Sequence, residues 1–137
     1  MKLIFCLDDR NGMMFNFRRQ SMDRVLRQRV LKMAESSRII MSPYSAKQFV
    51  ESGNIVISDT PQSIAASDDF YFVEDLPFSA ENASEIIIYR WNRHYPADKY
   101  FDADIKSLGY SVYSSENFEG SSHEKITEEK YRKDLTQ

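Results

Sequence analysis

Apolar residues along this chain gather in short blocks whose period changes from strand-like to helical and back. Leu3 to Leu7 is a continuous apolar run, the form a strand takes when both of its faces are covered. Met22, Val25, Leu26, Val30 and Met33 then recur at helical spacing, with Arg24, Arg27, Gln28 and Lys32 opposite them, which predicts a helix ending near Ser36. Ser21 stands where an N-cap would, with Asp23 in the first turn. Ile39-Ile40-Met41 reads as a second buried strand stopped by Pro43, and Ser45 as the cap of a short helix through Phe49 and Val50 that closes at Gly53. Asn54 to Ser58 is a third strand, Thr60-Pro61 opens a brief helix through Ile64 and Ala66, and Phe70 to Val73 is a fourth strand.

Strand and helix alternating at this spacing imply a largely parallel sheet with helices on both faces. The last third differs. After a short helical segment at Ser79 to Ala83, Glu85 to Trp91 is the strongest strand signal, and Tyr110 to Phe118 alternates loosely, as an edge or hairpin strand does. Residues 123–135 carry helix-start chemistry at Thr127-Glu128-Glu129, yet a strand returning from His123 would close a hairpin across Gly120. Both readings stand.

The chain has 137 residues, 42% of them hydrophobic, enough for one α/β domain over 1–137 that buries roughly two thirds of its extended surface. No apolar run reaches the ~18 residues of a membrane span, and the start is too short for a signal peptide, so a cytoplasmic protein is expected. The lone Cys6 lies inside the first apolar run and reads as a small buried hydrophobe.

Charge alters this picture. Residues 10–38 hold eight basic groups against Asp23 and Glu35, a local +6, so the net charge of −3 leaves −9 for the rest of the chain. A basic segment on an acidic body fits a small anionic ligand better than duplex nucleic acid, or else a solvated helix face balanced by acidic neighbours. Arg18 and Arg19 precede a helix start that already favours anions. Either a bound anion or Asp8 and Asp9, at the end of the first strand, would neutralise them.

Several segments together resemble dihydrofolate reductase. They are Asn11-Gly12-Met13 after the first strand, Ser21-Met22-Asp23 opening the first helix, Ile40-Met41-Ser42 before the second, Asn54 to Ser58, Tyr89-Arg90-Trp91, and Ala97 to Phe101. The resemblance implies a three-layer domain with a mixed, mostly parallel sheet and a C-terminal antiparallel hairpin. It also implies that Asp23 matches the acidic residue that binds a pterin-like ring and supports proton transfer. Where the family has a Gly-Gly turn that lets backbone approach the cofactor pyrophosphate, this chain has Glu74-Asp75-Leu76. Where it has a basic phosphate partner, this chain has Pro43, and Ser45 supplies the matching hydroxyl.

The chain also resembles a group of short bacterial proteins that share its Arg-Arg-Gln-Ser, Tyr-Arg-Trp-Asn-Arg and Ser-His-Glu-Lys-Ile-Thr segments, some bearing a ribonuclease Z label. Zinc chemistry of that kind needs closely spaced His and Asp ligands, and this chain has only His94 and His123. His94 with Asp98, Asp102 and Asp104 matches no compact ligand spacing. The aromatic and Arg residues of Tyr89 to Pro96 alternate as a half-buried strand would, so base stacking is not the favoured reading. His123 beside Ser121 and Ser122 reads as loop hydrogen bonding, since chain neighbours seldom place a hydroxyl on an imidazole.

The expectation is a binding protein for a small anionic or heterocyclic ligand. Its pocket would be floored by Asp8, Asp9 and Asp23, gated by Arg18 and Arg19, with Ser42, Ser45 and Tyr89 as further contacts. The alternative is an NAD(P)H-dependent reductase for a pterin-like substrate with an altered cofactor site. The sequence itself specifies no cofactor.

Overall fold

The computed structural model describes residues 1–134, so the last residue of the ambiguous 123–135 segment lies outside the described residues. Strands β1 (Lys2–Leu7), β4 (Ile39–Met41), β5 (Ile55–Ile57), β6 (Phe70–Phe72), β7 (Glu85–Arg90), β9 (Tyr110–Phe118) and β10 (Ile126–Lys133) form a seven-stranded sheet in the order β5-β4-β6-β1-β7-β10-β9. The first five run parallel, while β10 is antiparallel to β7 and to β9. Strand wins over helix for Ile126–Lys133 because β10 closes the register Thr127↔Arg90 to Arg132↔Glu85 and covers an edge that β7 would otherwise expose.

β1 shows why its sequence is continuously apolar. Leu3, Phe5 and Leu7 point to one core with Tyr71, Ile86 and Phe101, whereas Ile4 joins Ile39, Met41, Ile87 and Tyr89 on the other face. Helix α1 (Arg24–Met33) covers the second face through Leu26 and Val30, each contributing about 1.5–3 kcal/mol of apolar burial. The first face is covered by Phe78, Met13, Met14, Ile105 and Leu108, from loops and a small sheet where a helix was expected.

That small sheet was not foreseen. Strands β2 (Gly12–Phe15), β3 (Arg18–Arg19) and β8 (Lys99–Tyr100) pair antiparallel in the order β3-β2-β8. Two helix starts shift as well. Asp23, not Ser21, is the N-cap of α1, accepting from Val25 and Leu26, and Ser42, not Ser45, caps α2 (Pro43–Ala46). A third helix, α3, spans Pro61–Ile64. Ser79 to Ala83 is a turn, held where the Tyr110 hydroxyl donates to the carbonyls of Ala80 and Ala83. No described helix is long and apolar enough to cross a membrane.

Candidate functional site

Chain leaving β1 crosses to β4 on one side, and chain leaving β6 crosses to β7 on the other, so the carboxyl ends of β1 and β6 flank the topological switch point where α/β sheets place ligands. Each expected site residue can be located relative to this crevice.

Asp8 closes β1 and is fully buried. Its Oδ1 accepts from the N–H groups of Arg10 at 2.8 Å and Gly12 at 2.7 Å, and Oδ2 accepts from Gln20 Nε2 at 3.0 Å and the Tyr95 N–H at 3.2 Å. Burial would raise its pKa, but these donors outweigh burial and hold the carboxyl below its ordinary range. Glycine suits position 12, because a Cβ would lie 2.8 Å from Ala97 Cβ and would displace the Gln20 amide and Asp8 carboxylate that meet there. Asp9 is exposed, tied by its N–H to the Arg93 carbonyl.

Neither aspartate pairs with the arginines. Arg18 is exposed on β3, and Arg19 turns inward to Glu74, with Nε 3.0 Å from Oε2 and Nη2 3.1 Å from Oε1. The expected Asp8/Asp9 partnership is thus replaced by a bidentate pair bridging the switch point. Ser45 Oγ at 2.8 Å and Gln48 Nε2 at 3.2 Å also donate to Glu74, and the Arg19 guanidinium lies 4.3 Å from the Tyr44 ring centroid. Ser42 Oγ donates to Asp75 Oδ1 at 2.6 Å. Both hydroxyls at the start of α2 therefore face carboxylates already. A nicotinamide dinucleotide does not fit this arrangement, because its diphosphate would meet Glu74 and Asp75 where the resemblance implies bare glycine backbone. What remains of the crevice is a nook of about 10 Å³ among Cys6, Met13, Arg19, Ser21, Glu74 and Trp91. Burial, with the Glu74 charge added, pushes the Cys6 thiol well up.

Asp23, two residues beyond Ser21 of that nook, is 2% exposed. Besides Val25 and Leu26, its oxygens accept from Ser121 N–H at 3.0 Å, Ser122 N–H at 2.8 Å and His123 Nδ1 at 2.9 Å. Burial opposes ionisation, and the His123 ring with the N–H groups of Ser122, Ser121 and Leu26 overrides it, keeping the carboxyl far below its usual range. With five protein donors on two oxygens, the side chain caps α1 and clamps the β9–β10 loop. A Cβ at Gly120 would strike this carboxylate. His123 is buried too, stacked on Trp91 with centroids 4.5 Å apart, and its Nε2 meets Ser21 Oγ at 3.0 Å and Tyr95 Oη at 3.2 Å. Its hydroxyl partners are thus 102 and 28 residues away along the chain, beyond reach of local sequence patterns. Among the described residues no three His, Cys, Asp or Glu side chains group as a metal site.

Tyr89 is outside the site. It is fully buried beneath α1, and its hydroxyl donates to Glu128 Oε2 at 2.8 Å, a carboxylate also gripped by Arg29. The open space lies elsewhere at the carboxyl ends of β4 and β6, in a cleft of about 560 Å³ lined by Met14, Phe17, Tyr44, Asp75, Asp98 and Lys99. Asp98 Oδ2 accepts from Asn16 N–H at 3.0 Å, and Lys99 Nζ donates to the Glu74 carbonyl at 2.8 Å. The second oxygens of Asp75 and Asp98 have no hydrogen-bond partner among the described residues. Sequence reasoning assigned none of these lining residues to a ligand pocket, since the small sheet that assembles them pairs positions some 85 residues apart, as in Met14↔Lys99.

No protein-family model matches the chain, and no curated protein matches it. Among solved structures it is similar to a dihydrofolate reductase from Enterococcus faecalis complexed with NADP(H) and RAB-propyl. The match has a TM-score of 0.65 at 7% sequence identity and covers 96% of this chain and 94% of that one. The ribonuclease Z resemblance finds no support in these comparisons. The architecture of this chain is the α/β fold of dihydrofolate reductase.

Proposed function

We propose that the protein is a cytoplasmic small-molecule-binding protein that uses a dihydrofolate reductase-like scaffold without the reductase's cofactor chemistry. Its ligand is a planar heterocycle carrying N–H donors. The observation that carries this reading is the cleft between Tyr44, Phe17 and Met14, whose apolar surfaces suit a flat ring while Asp75 and Asp98 each keep an acceptor free. Two carboxylates against one lysine favour a neutral or cationic heterocycle over an anion. The anion reading loses its main support because Arg19 is committed to Glu74.

The alternative reductase reading rests on the fold alone, and the switch-point crevice is taken by the chain's own side chains. Binding to the native state must raise the melting temperature, so a thermal-shift screen separates the two. Amino-substituted bicyclic heterocycles should stabilise the protein, and Asp98→Asn should reduce that shift. Stabilisation by millimolar NADPH or NADH, with none from any heterocycle, would overturn the binding reading.

A further inference from the structure

Two side chains at the start of α1, Ser21 and Asp23, meet His123 of the β9–β10 loop beside the filled crevice. Asp23 Oδ2 lies 2.9 Å from His123 Nδ1, and His123 Nε2 lies 3.0 Å from Ser21 Oγ. The carboxylate is 2% exposed and the imidazole 5%, with the ring held in place by the Trp91 face. Ser21 is only partly buried and borders the 10 Å³ nook. We infer that Ser21, oriented by His123 and Asp23, is a nucleophile that accepts a short acyl group from a small ester, an activity separate from the heterocycle cleft.

Each part has a physical basis. An ionised Asp23 accepts the Nδ1 proton, which fixes the imidazole as the Nδ1–H tautomer and leaves the Nε2 lone pair facing the two hydroxyls. Ser21 Oγ, the nearer of the two hydroxyls, then faces a base that cannot rotate away. The backbone N–H groups of Ser21 and Met22 make no hydrogen bond among the described residues, which leaves them available to a developing oxyanion. Gln20 adds an independent sign. Its Nε2 is used by Asp8 and the Pro96 carbonyl, and the reverse amide orientation would set oxygen against oxygen at both, so the assignment is firm. That leaves Gln20 Oε1 buried without a partner, an acceptor waiting for an N–H or O–H.

The nook admits about one water-sized group, which limits the acyl part to formyl or acetyl size. The leaving group has room in the neighbouring cleft of about 320 Å³ between Phe15, Arg18, Tyr95 and Pro96, which shares Gln20 with the nook. In the reaction Ser21 Oγ bonds to the ester carbonyl carbon while His123 Nε2 takes the hydroxyl proton. The carbon–alkoxy bond breaks and that proton passes to the departing alcohol. Water, deprotonated by the same nitrogen, then cleaves the acyl-serine to a carboxylic acid and restores the hydroxyl.

Methanesulfonyl fluoride tests the nucleophile in the unmodified protein, because a relay serine displaces fluoride and becomes sulfonylated. Peptide mass spectrometry should find the adduct on Ser21, whereas unmodified Ser21 after prolonged exposure at pH 8 overturns the proposal. p-Nitrophenyl acetate should be turned over, with the rate falling about 100-fold or more in Ser21→Ala. Equal turnover in that variant also overturns it. Asp23 acts as a positioning residue, and long-range proton–nitrogen NMR of His123 reads its effect directly: the Nδ1–H tautomer is expected, and the Nε2–H tautomer contradicts the relay.

Discussion

Glu74 shows how much one side chain decides. It follows the buried strand β6, turns inward, and collects Arg19, Ser45 and Gln48, so a residue that reads in sequence as a repulsive replacement for glycine serves as the keystone of the switch point. Its removal strands a guanidinium that is 17% exposed. Glu74→Gln should therefore destabilise the protein by about 3 kcal/mol, within the range for breaking one side of a buried pair, measured by urea unfolding at pH 7. A loss under about 0.5 kcal/mol would mean that Arg19 finds solvent instead. Asp23 carries a second residue-scale prediction. It and Asp8, Asp69, Glu51 and Glu128 have folded-state pKa values lowered below their ordinary ones. A depressed folded pKa gives stability that is complete above the unfolded value of about 4 and is lost as pH falls through the folded value. Unfolding free energy should thus fall steadily below about pH 4.5, and Asp23→Ala should flatten that dependence while lowering stability at pH 7. Parallel pH profiles for the two proteins would rule this out.

Among the elements, the β2–β3 hairpin is the most informative. Its tip, Asn16-Phe17, has both residues at positive φ, 52° and 61°, and Phe17 is 91% exposed. Two-residue loops of this kind favour Asn-Gly, and a bulky aromatic there is strained. Phe17→Gly should raise stability by about 0.5–1 kcal/mol, yet weaken ligand binding at the cleft that Phe17 lines. Chemical denaturation and ligand titration on the same variant check both halves; lost stability with unchanged affinity would deny the tip a functional role. Most elements were legible from sequence because their signals are local: the apolar run of β1, the helical spacing of Leu26 and Val30, Pro61 at a helix start. The small sheet was not, since β3 and β8 have only two residues each and β8 joins β2 from far along the chain. Cap positions slipped for a related reason. Ser21 and Asp23 are both good caps, and the Ser121, Ser122 and His123 donors that select Asp23 arrive from the β9–β10 loop.

Across the whole molecule, the +6 of residues 10–38 is spent mostly on the chain itself. Arg19 pairs with Glu74, Arg27 with Glu51, Arg29 with Glu116 and Glu128, and Arg38 with Asp69, so the basic segment is bound onto its acidic body. The charge pattern visible in sequence was real, but its geometry turns it into an internal network, which is why an anion site was the natural expectation and why we propose a donor-bearing heterocycle instead. The candidate site was legible only as a region: the segment from Asp8 to Asp23 does border it, whereas Tyr44, Asp75, Asp98 and Lys99 complete the cleft from three other segments. The most direct measurement is amide chemical-shift mapping of the labelled protein, titrated with a panel of amino-substituted bicyclic heterocycles and separately with NADPH. At least one heterocycle should move the signals of Met14, Phe17, Tyr44, Asp75 and Lys99 together while NADPH leaves Glu74 and Asp75 unmoved. Shifts at Glu74 and Asp75 with NADPH, and none in the cleft with any heterocycle, would contradict the account.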